Sequence, residues 1–272
     1  MQKITLILVI YQEKIAQLPI FSLLTAIANQ NRFQVILYDN SPTAQENPLS
    51  AENITYFHDA SNPGLAKAYN YGWHKAQANH SNALLLLDDD TEISLNYLEK
   101  LMKIELTADL GAIVPLIFAE ETQISPVAAE DYISSNHQNL SAGKTSQRLM
   151  AINSGACIPL AVLNQIGGFN EAFPLDFLDH WFFWRLYQEK LAVEILDEKL
   201  QHQLSVLDYQ QVSPQRYLSI VMAENLYYRE YETTLQKRHR QQLFLRLLKQ
   251  FLLVKNRKIW RITWQELTKK TK

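Results

Sequence analysis

A single cysteine, Cys157, stands among 272 residues. It has no partner for an internal disulfide, which excludes a disulfide-stapled scaffold and fits a reducing compartment. No apolar run approaches the roughly 18 residues that spanning a bilayer requires. Glycine is scarce, at seven residues, and neither a G-x-G-x-x-G nor a Walker-type phosphate loop occurs. Internal repeats and low-complexity segments are missing as well. The N-terminal ITLILVIY follows one lysine, Lys3, and runs into Gln12, Glu13 and Lys14 without a small-residue cleavage site. It therefore predicts a first strand rather than a signal peptide.

What remains is the composition of a soluble globular protein, 47% hydrophobic and 20% charged. The length allows one large domain, or one domain with an appendage. A net charge of −2 conceals an asymmetry. Residues 229–272 carry thirteen Lys or Arg against three Glu, which leaves thirteen basic and twenty-five acidic residues in 1–228. Body and tail thus have different tasks. The expected division is a catalytic domain over residues 1–212 and a basic helical extension over 213–272.

The most informative stretch is Leu84–Asp90, four leucines followed by three aspartates. So short an apolar run reads as a buried parallel strand, and open α/β sheets place their ligands beyond the carboxyl ends of such strands. Three crowded carboxylates repel one another and need compensation. A divalent cation, Mg2+ or Mn2+, held together with diphosphate oxygens, supplies it. Alternation puts Asp88 and Asp90 on one side and Asp89 on the other, so Asp88-x-Asp90 reads as a metal–diphosphate clamp. The competing reading is a solvated strand end, although Ser94 already provides an N-cap for the helical pattern LNYLEKLMKIEL.

Around this strand the pattern alternates. Strands are predicted over Lys3–Ile10, Phe33–Tyr38, Ile54–His58 and Ala83–Leu87. Helices are predicted over Leu18–Ala28 and from Asn62-Pro63-Gly64 to about Asn79. This is an α/β fold with a mostly parallel sheet and helices on both faces. Residues 120–147 are polar and read as a long loop or lid. Ala151–Ile158 then looks like a strand, and Pro159–Ile166 a helix closed by Gly167-Gly168. A further helix starts near Asp176, and from Pro214 the pattern is helical almost to the end. The opening of the 62–79 helix offers backbone N–H groups to an anion, with small residues at Gly64, Ala66 and Ala68 permitting close approach. Asn70, in an otherwise helical pattern, needs a hydrogen-bond partner.

Asn62-Pro63-Gly64-x-Ala66-x-Ala68-x-Asn70-x-Gly72, the Asp-x-Asp strand and the later GGFNE…DFLDH…R occur in a fixed order. Together they resemble the inverting family-2 glycosyltransferases of the GT-A fold, nearest to the rhamnosyltransferase-type branch, over about residues 3–230. The resemblance implies that Tyr11 and Asp39 cradle a nucleotide base, although Tyr11-Gln12 replaces the usual Tyr-Asn and Asp39-Asn40-Ser41-Pro42 is also good turn chemistry. It places Asn62, Gly64, Asn70, Asp88 and Asp89 against the donor. It puts the catalytic base at Asp179, six residues before Arg185, with Asp176 as runner-up and helix cap and both Asp176 and Arg185 at the substrate. His202 falls where the family often supplies a third metal ligand beside Asp88 and Asp90; the bland alternative is an ordinary surface or core histidine. The run Trp181–Trp184 reads as core, with one ring free to face a sugar. The segment Leu186–Val193 lacks the glycine usual in the family, which puts the following strand in question. The implied donor is a dTDP- or UDP-sugar, with dTDP-L-rhamnose favoured, and the acceptor a cell-envelope saccharide that a lipid could carry.

In the tail, Leu243, Phe244, Leu247, Leu248, Phe251 and Leu252 recur at helical spacing among Arg246, Lys249, Lys255, Arg257, Lys258 and Arg261. Such a helix lies on an anionic membrane, or docks on the body or on a second copy of the chain. The chain is expected in the cytoplasm, at the inner face of the membrane if lipid is what the tail meets. Nucleic acid is not an expected partner, because the body is acidic. Two rivals to catalytic transfer remain. One is a non-catalytic nucleotide-sugar-binding or assembly protein of the same fold. The other is a haloacid-dehalogenase-like phosphatase, disfavoured because Glu92 occupies its Thr or Val position and three strands precede the aspartates.

Overall fold

Buried throughout, β1 (Ile4–Ile10) leads through α1 (Phe21–Ile27) to β2 (Phe33–Asp39) and β3 (Ile54–His58). α2 (Leu65–Ala78), β4 (Ala83–Asp88) and α3 (Leu95–Leu101) follow. The Ser94 hydroxyl accepts the Tyr97 N–H at 3.0 Å, so the expected cap is present; the helix stops at Leu101 rather than running to Leu106. This computed structural model describes residues 2–133, 137–201 and 212–269.

The second half departs more from the sequence pattern. β5 (Leu110–Ala119) is a long buried strand carrying Pro115, which lacks the N–H that a ladder needs. The 120–147 stretch is not one loop. It contains β6 (Thr122–Ser125), β7 (Val127–Ala128) and β8 (Gly143–Thr145), strands too short to show a period. β9 (Leu149–Met150) and β10 (Cys157–Pro159) flank a turn at 151–156, where a continuous strand is predicted. Gly155, at φ +83°, makes that turn. α4 (Leu160–Ile166) ends at the left-handed Gly167 as expected, and α5 (Leu178–Gln188) leads to β11 (Ala192–Gln201). Among the described residues three α-helices follow: α6 (Pro214–Glu230), α7 (Gln236–Leu253) and α8 (Arg257–Thr268).

The main sheet runs β3-β2-β1-β4-β10-β5-β11-β8, with β6 on β5. β1 pairs in parallel with β2 and β4, β2 with β3, and β5 with β11, while β10 and β8 are antiparallel. Opposite Pro115 the register of β11 shifts between Ile195 and Lys199, a bulge where the proline cannot donate. Strand alternation divides the core between the two faces. Ile4, Leu6, Leu8, Leu85 and Leu87 pack with α1 and α3, whereas Ile7, Val9, Leu84 and Leu86 pack with α2 and α5. A Cβ at Gly72 would lie 2.9 Å from that of Ile7, so glycine lets α2 rest directly on β1. The strand after α5 forms without the glycine. Lys190 takes φ +58°, and the Lys190 and Leu191 N–H groups close on Tyr187 and Leu186 carbonyls at 3.0 Å, as in a Schellman cap.

The last three helices share a small core of Tyr217, Val221, Leu243, Val254 and Ile259. Tyr227 and Tyr228, farther along α6, belong to the main core, so α6 spans both. Arg246 of α7 grips the buried Glu224 of α6 with two bonds of 2.6 and 2.8 Å.

Two substitutions test the backbone account. Gly64, at φ +92°, lies where an added Cβ would meet the Pro174 carbonyl oxygen at 2.3 Å. Gly64→Ala is expected to lower unfolding free energy by about 2 kcal/mol or more. Lys190→Gly is expected to raise it by up to about 1 kcal/mol, because glycine carries no left-handed penalty. Urea midpoints at fixed slope measure both.

Candidate active site

The parallel register Ile10↔Asp39 and Val9↔Asp88 brings the carboxyl ends of β2, β1 and β4 to one edge, where Tyr11, Asp39 and Asp88–Asp90 emerge. At the tip of β4 the chain turns, with the Thr91 N–H on the Asp88 carbonyl at 3.1 Å. Asp88 Oδ1 accepts the Tyr69 hydroxyl at 3.0 Å, and its backbone N–H donates to Ser154 Oγ at 3.0 Å. Thr91 Oγ1 contacts the same Ser154 hydroxyl. Asp89 turns the other way, its Oδ2 accepting the Tyr11 backbone N–H at 2.9 Å. The splay expected from strand alternation is therefore present for Asp88 and Asp89.

Asp179, in the first turn of α5, completes the group. Its charge reaches Asp88 and Tyr69, raising both. Burial, with the charges of Asp90, Asp89 and Asp179, pushes Asp88 up to about 7 against the pull of the Tyr69 hydroxyl. Burial also raises Asp89, with Asp90 and Glu13 adding to it and the Tyr11 N–H opposing. Asp179 goes the opposite way. Burial would raise it, yet His180 holds it below the usual carboxylate range through its charge, its ring and its backbone N–H. The His180 backbone N–H lies 2.8 Å from Asp179 Oδ1, and its ring Nδ1 lies 2.9 Å from the same oxygen.

The site thus gathers Tyr11, Asp88, Asp89, Asp90 and Asp179. Other predicted residues have structural engagements. Asp39 is fully buried, accepting from the Ser41 N–H at 2.9 Å, Gln45 Nε2 at 3.0 Å and the Tyr56 hydroxyl at 2.8 Å. Burial alone would raise this carboxyl, but those donors hold it low. Asn62 is exposed at φ +45°. The opening N–H groups of α2 do not face outward. Leu65 and Ala66 donate to the Pro174 carbonyl at 2.6 and 3.4 Å, so Gly64 serves close approach to the segment before α5. Asn70, half-buried, clamps Phe169 through bonds of 2.9 and 2.7 Å and reaches Glu171 at 3.2 Å.

Asp176 does not cap α5. Residue 177, in the left-handed region, precedes the helix without a side-chain cap, and Asp176 instead pairs with both Arg216 guanidinium nitrogens on α6. The physical reason is a stronger partner: a bidentate guanidinium outweighs one backbone N–H. Arg185 pairs with Glu189 at 2.7 Å, one turn on. Trp181, Phe182 and Phe183 are buried core, as expected, while half-buried Trp184 packs edge-on against Tyr231. His202 lies outside the described residues. Tyr69, Ser154 and His180 escaped sequence reading. Only Tyr69 left a signal, one position before Asn70 and one turn beyond Ala66.

Among the described residues, no group of three or more His, Cys, Asp or Glu side chains could alone hold a metal. Asp88 and Asp90 still fit a hard cation that takes most of its oxygens from water and substrate phosphate. Burial first, and the neighbouring carboxylates after it, push Asp88 up to about 7, and a cation beside it would favour the ionised form.

Residues 5–158 match the family described as Glycosyl transferase family 2. No curated protein matches the chain. Among solved structures it is similar to GalNAc-T7 with UDP, GalNAc and Mn2+, at TM-score 0.60 and 14% identity over 85% of this chain and 49% of that one. It is similar to S. aureus TarS at TM-score 0.53 and 14% identity, covering 86% of this chain and 45% of that one. TarS 1–349 in complex with UDP gives TM-score 0.53 and 13% identity over 98% and 90%. The chain therefore spans about half the length of the first two. These likenesses show the GT-A fold. With the family match they remove the phosphatase rival.

Asp88 yields a pH prediction for chelator-treated protein. Its ordinary value is 3.8, and in the folded chain it is pushed up to about 7. Between these values the native state binds more protons than the unfolded, so this group's contribution falls as pH rises from about 4 and is gone above about 7. Asp88→Asn should remove that slope and exceed wild type by about 1–3 kcal/mol at pH 8, with no advantage near pH 4. Urea unfolding in EDTA across this range measures it; parallel curves would contradict it.

Proposed function

The chain belongs to glycosyl transferase family 2, and on that premise we propose that it is an inverting glycosyltransferase using a nucleotide-diphosphate sugar. The observation that carries this reading is Asp179 at the start of α5, held on one oxygen by His180 and electrostatically coupled to Asp88 at the β4 tip. Such a carboxylate stays ionised at neutral pH. It can take the acceptor hydroxyl's proton as that oxygen attacks the anomeric carbon and the bond to the diphosphate breaks. Attack from the face opposite the leaving group inverts the anomeric centre.

Asp88 and Asp90 are the residues that would hold Mg2+ or Mn2+, with His202 a third candidate, and the bound cation's charge offsets that of the diphosphate. Tyr11, whose backbone anchors Asp89, is 46% exposed and stands ready for the base. Asp39 shapes the loop beside it. Asn62 stands exposed at the donor side, Gly64 and Asn70 serve the donor by fixing the segment that leads to Asp179, and Asp176 and Arg185 act through their ion pairs with Arg216 and Glu189.

Resemblance supports dTDP-L-rhamnose as donor and a cell-envelope saccharide, one that a lipid could carry, as acceptor. The UDP in the GalNAc-T7 and TarS structures supports uridine as the alternative base. Residues 1–212 are taken as the catalytic unit and 213–272 as its helical extension. The separate small core shared by α6, α7 and α8 supports that division. A non-catalytic binding protein of the same fold has no observation in its favour, since Asp88, Asp90 and Asp179 are all retained.

Release of nucleoside diphosphate from a panel of UDP- and dTDP-sugars tests this reading. Asp179→Asn should reduce the rate about 10²–10⁴-fold while leaving nucleoside diphosphate affinity within a few-fold. Unchanged turnover in Asp179→Asn would remove it from the base role.

A further inference from the structure

Among the described residues, seven of the twelve large apolar side chains that stand exposed lie on α7 and α8. On α7, Leu243, Leu247 and Gln250 face inward, while Phe244, Leu245, Leu248, Phe251 and Leu252 follow i, i+1, i+4, i+7, i+8 spacing and share a second, outward face. They are 45–76% exposed. Trp264 of α8 is 51% exposed. The two helices are joined at this surface by Phe251 and Trp260, whose ring centroids lie 5.3 Å apart. A helix in a water-soluble layer with one apolar face satisfied has no need of a second.

The charge around this face is one-sided. Between Glu232 and Glu266 the sequence holds nine Lys or Arg and no acidic residue. Lys249, Lys255, Arg257 and Arg261 are exposed, and the guanidinium of Arg257 sits 5.6 Å from the Phe251 ring centroid. An isologous dimer through this patch would set bases against bases, because a two-fold axis brings the same surface to itself. An apolar strip with a tryptophan and a basic border is instead complementary to an anionic lipid surface, where acyl chains take the leucines and headgroups take the bases. No helix among the described residues is long and apolar enough to cross a membrane, so the contact is one of lying on the surface.

We infer that the outer face of α7, with Trp264 and the α8 bases, is a docking surface for an anionic bilayer. α6 carries the helical layer's core at Tyr217 and Val221 and the main core at Tyr227 and Tyr228, and its Arg216 grips Asp176, three residues before Asp179. A catalytic unit seated this way works on acceptors held at the membrane. The docking surface itself stands whether or not the transferase reading does.

Flotation of the full chain with vesicles of phosphatidylglycerol and phosphatidylcholine, against phosphatidylcholine alone, tests the inference. Binding should require the anionic lipid and weaken as salt rises. Leu248→Ser with Leu252→Ser, both at exposed positions, should cut it about tenfold or more at unchanged Tm. Lys249→Gln with Lys255→Gln should cut it roughly thirtyfold in total, near 1 kcal/mol per base. No binding to anionic vesicles, equal binding to neutral ones, or a concentration-dependent dimer in analytical ultracentrifugation that the leucine variants abolish would overturn it. Nucleoside diphosphate binding, measured in parallel, reports on the transferase site separately.

Discussion

Carboxylate crowding at the end of β4 is the constraint on which the rest of this structure depends. Asp88, Asp89, Asp90 and Asp179 act on one another through partly buried surroundings, and each uncompensated charge there is costly. Donors hold the acids apart: Tyr69 on Asp88, the Tyr11 backbone on Asp89, His180 on Asp179. Those donors come from α2, the residue after β1, and α5. The fold is thus tied together at its charged edge as well as through its apolar layers. A divalent cation bound there would relieve the same crowding.

α2 is the bracket that makes this arrangement specific. In its first turn the Leu65 and Ala66 N–H groups are taken by the Pro174 carbonyl. Its middle reaches Asp88 through Tyr69 and Phe169 through Asn70. One helix therefore fixes both the β4 tip and the segment leading to Asp179. Gly64 and Gly72 are the contacts that bring it close enough, against Pro174 on one side and Ile7 on the other. The helical layer adds a second hold on that segment through Arg216 and Asp176.

Much of this was legible in the residues. The runs at 4–10, 33–39, 54–58 and 83–88 formed strands because each is short, apolar and bounded by turn chemistry. Strand tips then had to converge, which put Tyr11 beside the aspartates. Two kinds of feature stayed hidden. Pro115 disguised β5, since its tolerance depends on a bulge in a partner strand some eighty residues later. Side chains whose partner is distant were equally opaque: Asp176 waits for Arg216, Asn70 for Phe169 and Ser154 for Asp88. Local propensity offered Asp176 a cap and the 62–72 segment an anion, and tertiary contacts claimed both first.

The most direct measurement is calorimetric titration of UDP and dTDP into wild type and Asp90→Ala, with Mn2+ and with chelator. The carboxylate cluster, as a cation–diphosphate clamp, predicts binding in wild type only with the metal, and loss of that metal-dependent binding in Asp90→Ala while the fold, by circular dichroism, is unchanged. Equal affinity in chelator and Mn2+, or an Asp90→Ala variant that still binds the metal-nucleotide as tightly, would contradict the clamp.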